Sequence, residues 1–183
     1  MNVQIKLISH LLQYPDDSLL GWLPAYREIL NEIESVTTQN RYDRILAYFE
    51  QTSLIQLQEL YTETFDLSPS NCMNLTYHRW GDTENRGPAL AHLEELYLRS
   101  GFERISSELP DFLPLILEFI SERPDVASSE IIPLYGTVFE TLAGRLRQAG
   151  YPYSLLFEQL TDIFGLSNAD DNFCTEVMTD NKP

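Results

Sequence analysis

The chain has 183 residues, and its 28 acidic side chains outnumber its 12 basic ones to give a net charge of −16. Such a negative surface repels phosphate backbones, so we expect no nucleic-acid partner. It would instead attract a basic segment of another protein, with an attraction that weakens as salt rises. Hydrophobic residues make up 43% of the chain, which is typical of a folded protein with a sizeable core.

The chain begins with MNVQIKLISHLLQYPDD, which has Lys6 inside its short apolar run and no small-residue cleavage site. This pattern predicts an amphipathic first helix rather than a signal peptide. No apolar run approaches the length of a membrane span, so we predict a cytoplasmic protein that does not insert into a membrane. Cys72 and Cys174 lie far apart and form no CxxC pair, which argues against a disulfide scaffold and a zinc site.

Apolar residues recur at helical spacing through the first third of the chain. The first helical face ends at Pro15, and either Asp17 or Ser18 is placed to cap the second helix. A third helix follows, and Ser53 is placed to cap a fourth that ends near residues 65–66.

Helical patterns resume after a polar loop. Pro88 suits the first turn of one helix, and Asp111 is placed to cap the next. Ser128 or Ser129 is placed to start a longer helix, for which Gly150 is a suitable end. A final short helix follows it.

Alternating strand patterns are absent, so the sequence predicts an all-α protein, a single compact bundle of several helices. We expect one helical domain over residues 1–166. The acidic segment over residues 167–183 has few apolar residues, and we expect it to be a mobile tail.

Patterns that would indicate an enzyme are missing from the sequence. His10, His78 and His92 fall on separate predicted elements and no HExxH pair occurs, so a metal site is not indicated. There is no GxSxG elbow and no glycine-rich phosphate loop. A helical enzyme that uses a metal or a nucleotide is therefore the weaker reading, and we predict a protein that is not an enzyme and binds no cofactor.

Residues 77–87 concentrate aromatic and charged side chains in what we expect to be a loop. One reading is structural: Arg86 pairs with Asp82 or Glu84 while Trp80 fills the core. The other is a groove in which aromatic faces hold an apolar or cationic segment, with acidic residues around its rim. The two readings are compatible, since a binding groove needs a rigid loop.

Residues 108–119, ELPDFLPLILEF, place a strongly apolar face directly after a helix start. In the plain reading, Asp111 caps this helix while Leu113 and Leu117 fill a core. In the functional reading, the start of the helix faces a shared cleft and anchors a bound peptide.

Together these stretches resemble the assembly chaperones of respiratory nitrate reductase, the delta-subunit or NarJ type, within the wider group of helical chaperones for molybdenum redox enzymes. The residues that carry the resemblance match an aromatic-x-x-x-Phe-Asp stretch, a His followed by Gly-acid and Arg-Gly steps, and a Glu-x-Pro-Asp motif: Tyr61, Phe65 and Asp66; His78, Gly81, Asp82, Arg86 and Gly87; Glu108, Pro110 and Asp111. Two positions depart from the pattern: Glu84 stands where many relatives carry a basic residue, and Phe112 where the motif often has His.

The resemblance implies a compact helical chaperone that has no catalytic activity and no bound cofactor. It implies that the chain binds the immature catalytic subunit of nitrate reductase, chiefly through the N-terminal segment of that subunit. The subunit is thereby held competent for insertion of the molybdenum cofactor and an iron–sulfur cluster before it docks to the membrane. We expect a monomer or a weak dimer.

Two other functions remain open from the sequence. The chain could serve another molybdenum oxidoreductase, of the dimethyl sulfoxide, trimethylamine N-oxide or selenate reductase type, by recognising a twin-arginine leader. It could also be a generic acidic helical interaction module. The candidate peptide-binding residues are Tyr61, Phe65, Asp66, Tyr77, His78, Trp80, Gly81, Asp82, Arg86, Gly87, Glu108, Pro110, Asp111, Leu113 and Leu117.

Overall fold

The structure is a computed structural model and describes residues 2–105 and 107–166. The helices in chain order are α1 Asn2–Leu11, α2 Asp17–Leu30, α3 Val36–Gln51, α4 Leu54–Tyr61, α5 Leu75–Trp80, α6 Arg86–Arg99, α7 Leu113–Glu122, α8 Pro124–Val126, α9 Ile132–Ala149 and α10 Ser154–Ile163. No strand forms within these residues, where one isolated antiparallel bridge joins Asn74 to Phe112. The prediction of an all-α bundle is confirmed. The predicted tail over residues 167–183 lies outside the described residues.

Helices α1 and α7 form the central antiparallel pair of the bundle. The Ser9 hydroxyl donates to the Pro114 carbonyl oxygen at 2.6 Å, and Lys6 pairs with Glu122 at 3.0 Å. The end of α1 therefore lies beside the start of α7. Both helices bury most of their apolar side chains, at about 1.5–3 kcal/mol for each large aliphatic residue: Ile5, Leu7, Ile8 and Leu11 on α1 with Leu12 directly after it, and Leu113, Ile116, Leu117, Phe119 and Ile120 on α7.

The remaining long helices surround this pair. Helix α9 packs against α10, and α3 packs against both α2 and α10. No helix in the described part of the chain is long and apolar enough to cross a membrane.

Two predicted helix starts have different outcomes. Ser53 caps α4 as predicted, through a capping box in which its hydroxyl and the Gln56 side chain satisfy each other's backbone N–H groups. The prediction of Asp17 or Ser18 as the cap of α2 is wrong. Asp16 takes that position, because it has extended backbone geometry and its carboxylate accepts from the Leu19 N–H at 2.8 Å.

The long helix after α7 begins earlier than predicted. Pro124 occupies the first position of α8, and a π-helical turn over Ala127–Ile131 continues directly into α9. Ser128 and Ser129 are therefore not caps. Their hydroxyls donate instead to backbone carbonyl oxygens one turn earlier. Gly150 ends α9 in the left-handed conformation, as expected for a residue without a side chain.

Candidate functional site

A cleft of about 670 Å³ opens where α1 ends and α7 begins. Its walls are the chain just after α1, a π-helical turn over Thr62–Asp66 that follows α4, the residues before α5, and the start of α7. Among the described residues, acidic side chains line this cleft and neither lysine nor arginine does. We call it the acidic cleft.

A row of aromatic rings forms one wall of the acidic cleft. The Tyr14 ring centroid lies 5.3 Å from that of Tyr61, Tyr61 lies 5.1 Å from Phe65, and Phe65 lies 4.9 Å from Tyr153. All three contacts are edge-to-face, a favoured geometry for aromatic pairs. Tyr14 is half exposed, whereas the other three are buried. The row therefore runs from the surface into the core and gives the cleft a rigid apolar wall.

Three carboxylates stand on the rim of the acidic cleft: Asp66, Glu108 and Glu118, all of them exposed. Burial raises the pKa of Tyr61, and the negative charges of Asp66 and Glu108 raise that pKa further. Both carboxylates therefore act on the same aromatic wall. A cationic group beside an aromatic face and near carboxylates is stabilised by both. The cleft is thus suited to a segment that carries both basic and apolar side chains.

The opposite wall of the acidic cleft is apolar and comes from the residues around the start of α7. Phe112 and Leu115 are partly exposed there, next to the buried Met73 and Pro114. The backbone holds this wall in place, since the Leu113 N–H donates to the Met73 carbonyl at 2.8 Å and the Leu75 N–H donates to the Asp111 carbonyl at 3.0 Å. The two stretches singled out in the sequence are therefore joined through their backbones.

Behind this wall lies a buried polar cluster centred on Asp111, which we call the Asp111 lock and which comprises Asp111, Asn74, Thr76 and Arg86. The fully buried Asp111 carboxylate accepts from the Asn74 side chain at 2.9 Å and from the Thr76 N–H at 3.1 Å. It also accepts from the Thr76 hydroxyl. Arg86 donates to that hydroxyl at 3.1 Å and lies 3.7 Å from the carboxylate. The lock joins α5, α6 and the chain before α7.

The prediction that Asp111 caps α7 is wrong. Phe112 occupies the N-cap position of α7 and makes no side-chain cap. The Asp111 carboxylate turns to α5 instead, where it accepts from Thr76, the second residue of that helix. The Asp111 carboxylate therefore satisfies an N-terminal backbone N–H of α5, as a cap would, although Asp111 lies 35 positions after Thr76 in the chain.

The sequence predicts a loop over residues 77–87, and this prediction is wrong at both ends of the segment. Leu75–Trp80 forms helix α5, and Arg86 is already the first residue of α6. The structural reading of Arg86 holds in part, because it lies 3.8 Å from Asp82 as well as beside Asp111. Trp80 is partly buried against the core near Tyr135.

Between α5 and α6 the backbone turns at Gly81, which ends α5 with φ 57° and ψ −143°. Only glycine adopts this combination readily, because a side chain would clash with the backbone. The Gly81 N–H donates to the Tyr77 carbonyl at 2.7 Å. Gly81 thus ends α5 ahead of the turn that leads to Arg86.

Within the described residues, no group of three or more His, Cys, Asp or Glu side chains is placed to hold a metal ion. His78 is half-buried, and its Nε2 donates to the Cys72 carbonyl at 2.7 Å. Burial lowers the pKa of His78 below its ordinary value of 6.5.

A family model described as the nitrate reductase delta subunit matches residues 22–157. The chain belongs to the nitrate reductase delta subunit family. The resemblance inferred from the sequence motifs is thereby confirmed.

Two named relatives of this delta subunit family member come from different bacteria. It is 32% identical over 161 residues to a protein of Bacillus subtilis named as a probable nitrate reductase molybdenum cofactor assembly chaperone NarJ, with 86% of each chain covered. It is 27% identical over 178 residues to the Escherichia coli chaperone named NarW, covering 97% of this chain and 75% of that one. These relatives are named as assembly chaperones, which agrees with the prediction that the chain is not an enzyme.

A solved structure supports the fold. A crystal structure from Archaeoglobus fulgidus, described as that of a redox enzyme maturation protein, superposes with a TM-score of 0.66 and 24% sequence identity. The matched region covers 90% of this chain and 94% of the Archaeoglobus fulgidus chain. The helical bundle seen here is therefore shared with that protein.

The structure divides the sequence-predicted site residues of this family member into separate groups. Tyr61, Phe65, Asp66 and Glu108 line the acidic cleft. The other eleven do not line it. They lie in the lock, in the turn between α5 and α6, at the start of α6, on α5, or at buried positions before and within α7: Arg86 and Asp111; Gly81 and Asp82; Gly87; Tyr77, His78 and Trp80; Pro110, Leu113 and Leu117.

Several cleft residues were missed by sequence reasoning. Tyr14 follows the first helix just before Pro15, and Leu115 and Glu118 lie on the less apolar face of α7. An exposed tyrosine at a helix end is a weak signal on its own. Phe112 had a usable signal, since it stands inside the Glu-x-Pro-Asp stretch and was noted only as a departure from the motif.

Proposed function

We propose that this chain is an assembly chaperone of respiratory nitrate reductase. It binds the N-terminal segment of the immature catalytic subunit in the cytoplasm. It keeps that subunit competent for insertion of the molybdenum cofactor and an iron–sulfur cluster before membrane docking. Membership of the delta subunit family and the names of its relatives support the choice of client. The observation that carries the binding mode is the acidic cleft, which pairs an aromatic wall with three rim carboxylates.

The cleft favours a guest segment that is both amphipathic and basic. Apolar side chains of the guest would cover Tyr14, Phe112 and Leu115, with a gain of roughly 25 cal/mol for each Å² of apolar surface removed from water. Its basic side chains would lie near Asp66 and Glu118. A helix that lays its apolar face into a groove is a common mode of peptide recognition and suits these two requirements.

The test is a calorimetric titration of the protein with a peptide that copies the N-terminus of the cofactor-free catalytic subunit. We expect binding at low salt that weakens at high salt, because exposed rim charges are screened by ions. Binding that does not change with salt would contradict the role of the carboxylates. Absence of binding at both salt concentrations would contradict the choice of guest.

The aromatic wall is tested separately by Tyr14→Ala. This change removes a half-exposed ring from the cleft, and we expect it to weaken peptide binding at both salt concentrations. Ile55→Ala is the matched control, since Ile55 is an exposed apolar residue that does not line the cleft. Equal affinities for the two variants would show that the ring does not contact the guest.

A twin-arginine leader is the second candidate guest, because the three rim carboxylates would also attract two adjacent arginines. The two candidates are separated by competition. The N-terminal peptide of nitrate reductase should displace a labelled copy of itself at lower concentration than a twin-arginine leader peptide of equal net charge does. The reverse order would favour another molybdenum oxidoreductase as the client.

A further inference from the structure

A second cavity of about 450 Å³ lies between α5 and the middle of α9. Its polar lining comes from His78 and Arg79 on α5 and from Thr137, Thr141 and Arg145 on α9. No acidic residue lines it within the described part of the chain. We call it the cationic pocket, and it shares no lining residue with the acidic cleft.

The charges of the cationic pocket are not balanced by a carboxylate of the described residues. Neither Arg79 nor Arg145 has a carboxylate oxygen within 4.0 Å among the described residues, and Arg44 shares this property elsewhere on the surface. The other basic side chains of the described residues are ion-paired: Lys6, Arg27, Arg41, Arg86, Arg99, Arg104, Arg123 and Arg147. In a chain with 28 acidic and 12 basic residues, two exposed guanidinium groups that line one cavity without a carboxylate partner among the described residues make this cavity the candidate site for a further anion.

Both guanidinium groups are held in place by backbone contacts. Arg79 donates through Nη1 to the Leu134 carbonyl at 2.7 Å, and its guanidinium lies 5.1 Å from the centre of the Trp80 ring. Arg145 donates through Nη1 to the Ser70 carbonyl at 2.6 Å. A guanidinium has five N–H donors, so each arginine keeps donors for a ligand while its position is fixed. Pre-ordered donors cost less conformational entropy when an anion binds.

We propose that the cationic pocket binds the phosphate group of a small phosphorylated molecule. Two guanidinium groups balance a doubly charged phosphate, whereas a single carboxylate would balance one of them. Nucleic acid is excluded as the source, because the net charge of −16 repels a long phosphate backbone. The volume of about 450 Å³ exceeds what a bare phosphate fills and leaves room for the rest of a small molecule.

The test is calorimetric titration of the full-length protein with pyrophosphate and with inorganic phosphate at constant ionic strength. We expect wild-type protein to bind both. Arg79→Gln and Arg145→Gln should each lower the affinity by about tenfold, the effect of losing one charged hydrogen bond. The two arginines lie on different helices, so a folding defect in one variant leaves the other as a valid test.

Arg147→Gln is the matched control. Arg147 lies on the same helix as Arg145, but it is ion-paired with Glu158 at 2.7 Å and does not line the pocket. We expect its phosphate affinity to equal that of the wild type. Absence of binding to wild-type protein would overturn the proposal, as would an equal loss in Arg147→Gln. Binding of malonate, a dicarboxylate of the same charge, as tightly as phosphate would overturn the assignment to phosphate.

Discussion

The Asp111 lock and the acidic cleft both draw residues from the chain before α5 and from the chain around the start of α7, yet their carboxylates have opposite environments. Asp111 is fully buried and accepts hydrogen bonds from Asn74 and Thr76. Its carboxylate is therefore satisfied by contacts within the fold. Asp66 and Glu118 are exposed and line the acidic cleft. A buried and bonded carboxylate fixes the frame, whereas an exposed one remains for a partner. Changes in the two regions should therefore affect different measurements.

The largest effect is expected from Asp111→Ala. This change leaves Arg86 without its buried partner and the Thr76 N–H without its acceptor. We expect the free energy of unfolding to fall by about 3–5 kcal/mol, the usual cost of breaking a buried charge pair. Urea unfolding measures this loss directly.

Asp82→Ala is the control for the lock, since Asp82 also lies near Arg86 but its side chain is 84% exposed. We expect a change below about 1 kcal/mol. If Asp111→Ala were no more destabilising than Asp82→Ala, the lock would not stabilise the fold and the comparison would fail.

Leu117→Ala tests the core beneath both regions. Leu117 is fully buried on α7, and its truncation should cost about 2–5 kcal/mol through lost burial and the cavity left behind. Leu98→Ala is the control on an exposed helix face, with an expected change within about 0.5 kcal/mol. A thermal midpoint equal to that of the wild type would contradict the placement of Leu117 in the core.

Gly81→Ala tests how the turn between α5 and α6 sets up the lock. The positive φ at Gly81 should make alanine destabilising by about 1–3 kcal/mol. Gly144→Ala, in the exposed middle of α9 with no atom near an added Cβ, should instead stabilise by about 0.4–1 kcal/mol. Opposite signs in chemical denaturation are the expected result, and equal signs would contradict the role of Gly81.

A smaller and pH-dependent effect is expected from His78, which lies on α5 together with Thr76 of the lock. Burial lowers the pKa of His78 below 6.5, so the unfolded chain takes up this proton at a higher pH than the folded chain does. The contribution of His78 to stability is therefore present above about pH 6.5 and is lost as pH falls below it. His78→Gln should flatten this part of the stability curve, and an unchanged slope between pH 7 and pH 5 would contradict it.

Local features of this fold were readable from the sequence, and long-range contacts were not. The Ser53 cap, the Gly150 helix end and the all-α class depend on neighbouring residues or on periodicity, and they were predicted correctly. Asp111 was placed on the wrong helix because its partner, Thr76, lies far away in sequence. A motif search finds such residues but cannot tell a buried acid from an exposed one.

Because long-range contacts were not readable from the sequence, only some residues of the acidic cleft were predicted. Tyr61, Phe65, Asp66 and Glu108 were found because they lie within the motifs, and they line the cleft. Glu118 was missed because its place on the rim depends on how α7 packs against α1. Sequence reasoning therefore predicted four residues that line the cleft but not the rest of its surface.

The central claim is that exposed rim carboxylates bind the guest while the buried lock only holds the frame. The most direct measurement is a low-salt titration of the N-terminal guest peptide into Asp66→Asn/Glu118→Gln and into Glu28→Gln/Glu95→Gln. The second pair removes the same charge from exposed acids outside the cleft. We expect the first pair to lose about tenfold in affinity, or 1.4 kcal/mol, with unchanged stability, and the second pair to bind like the wild type. Equal losses in both pairs would show that only the overall charge matters, and would contradict the claim.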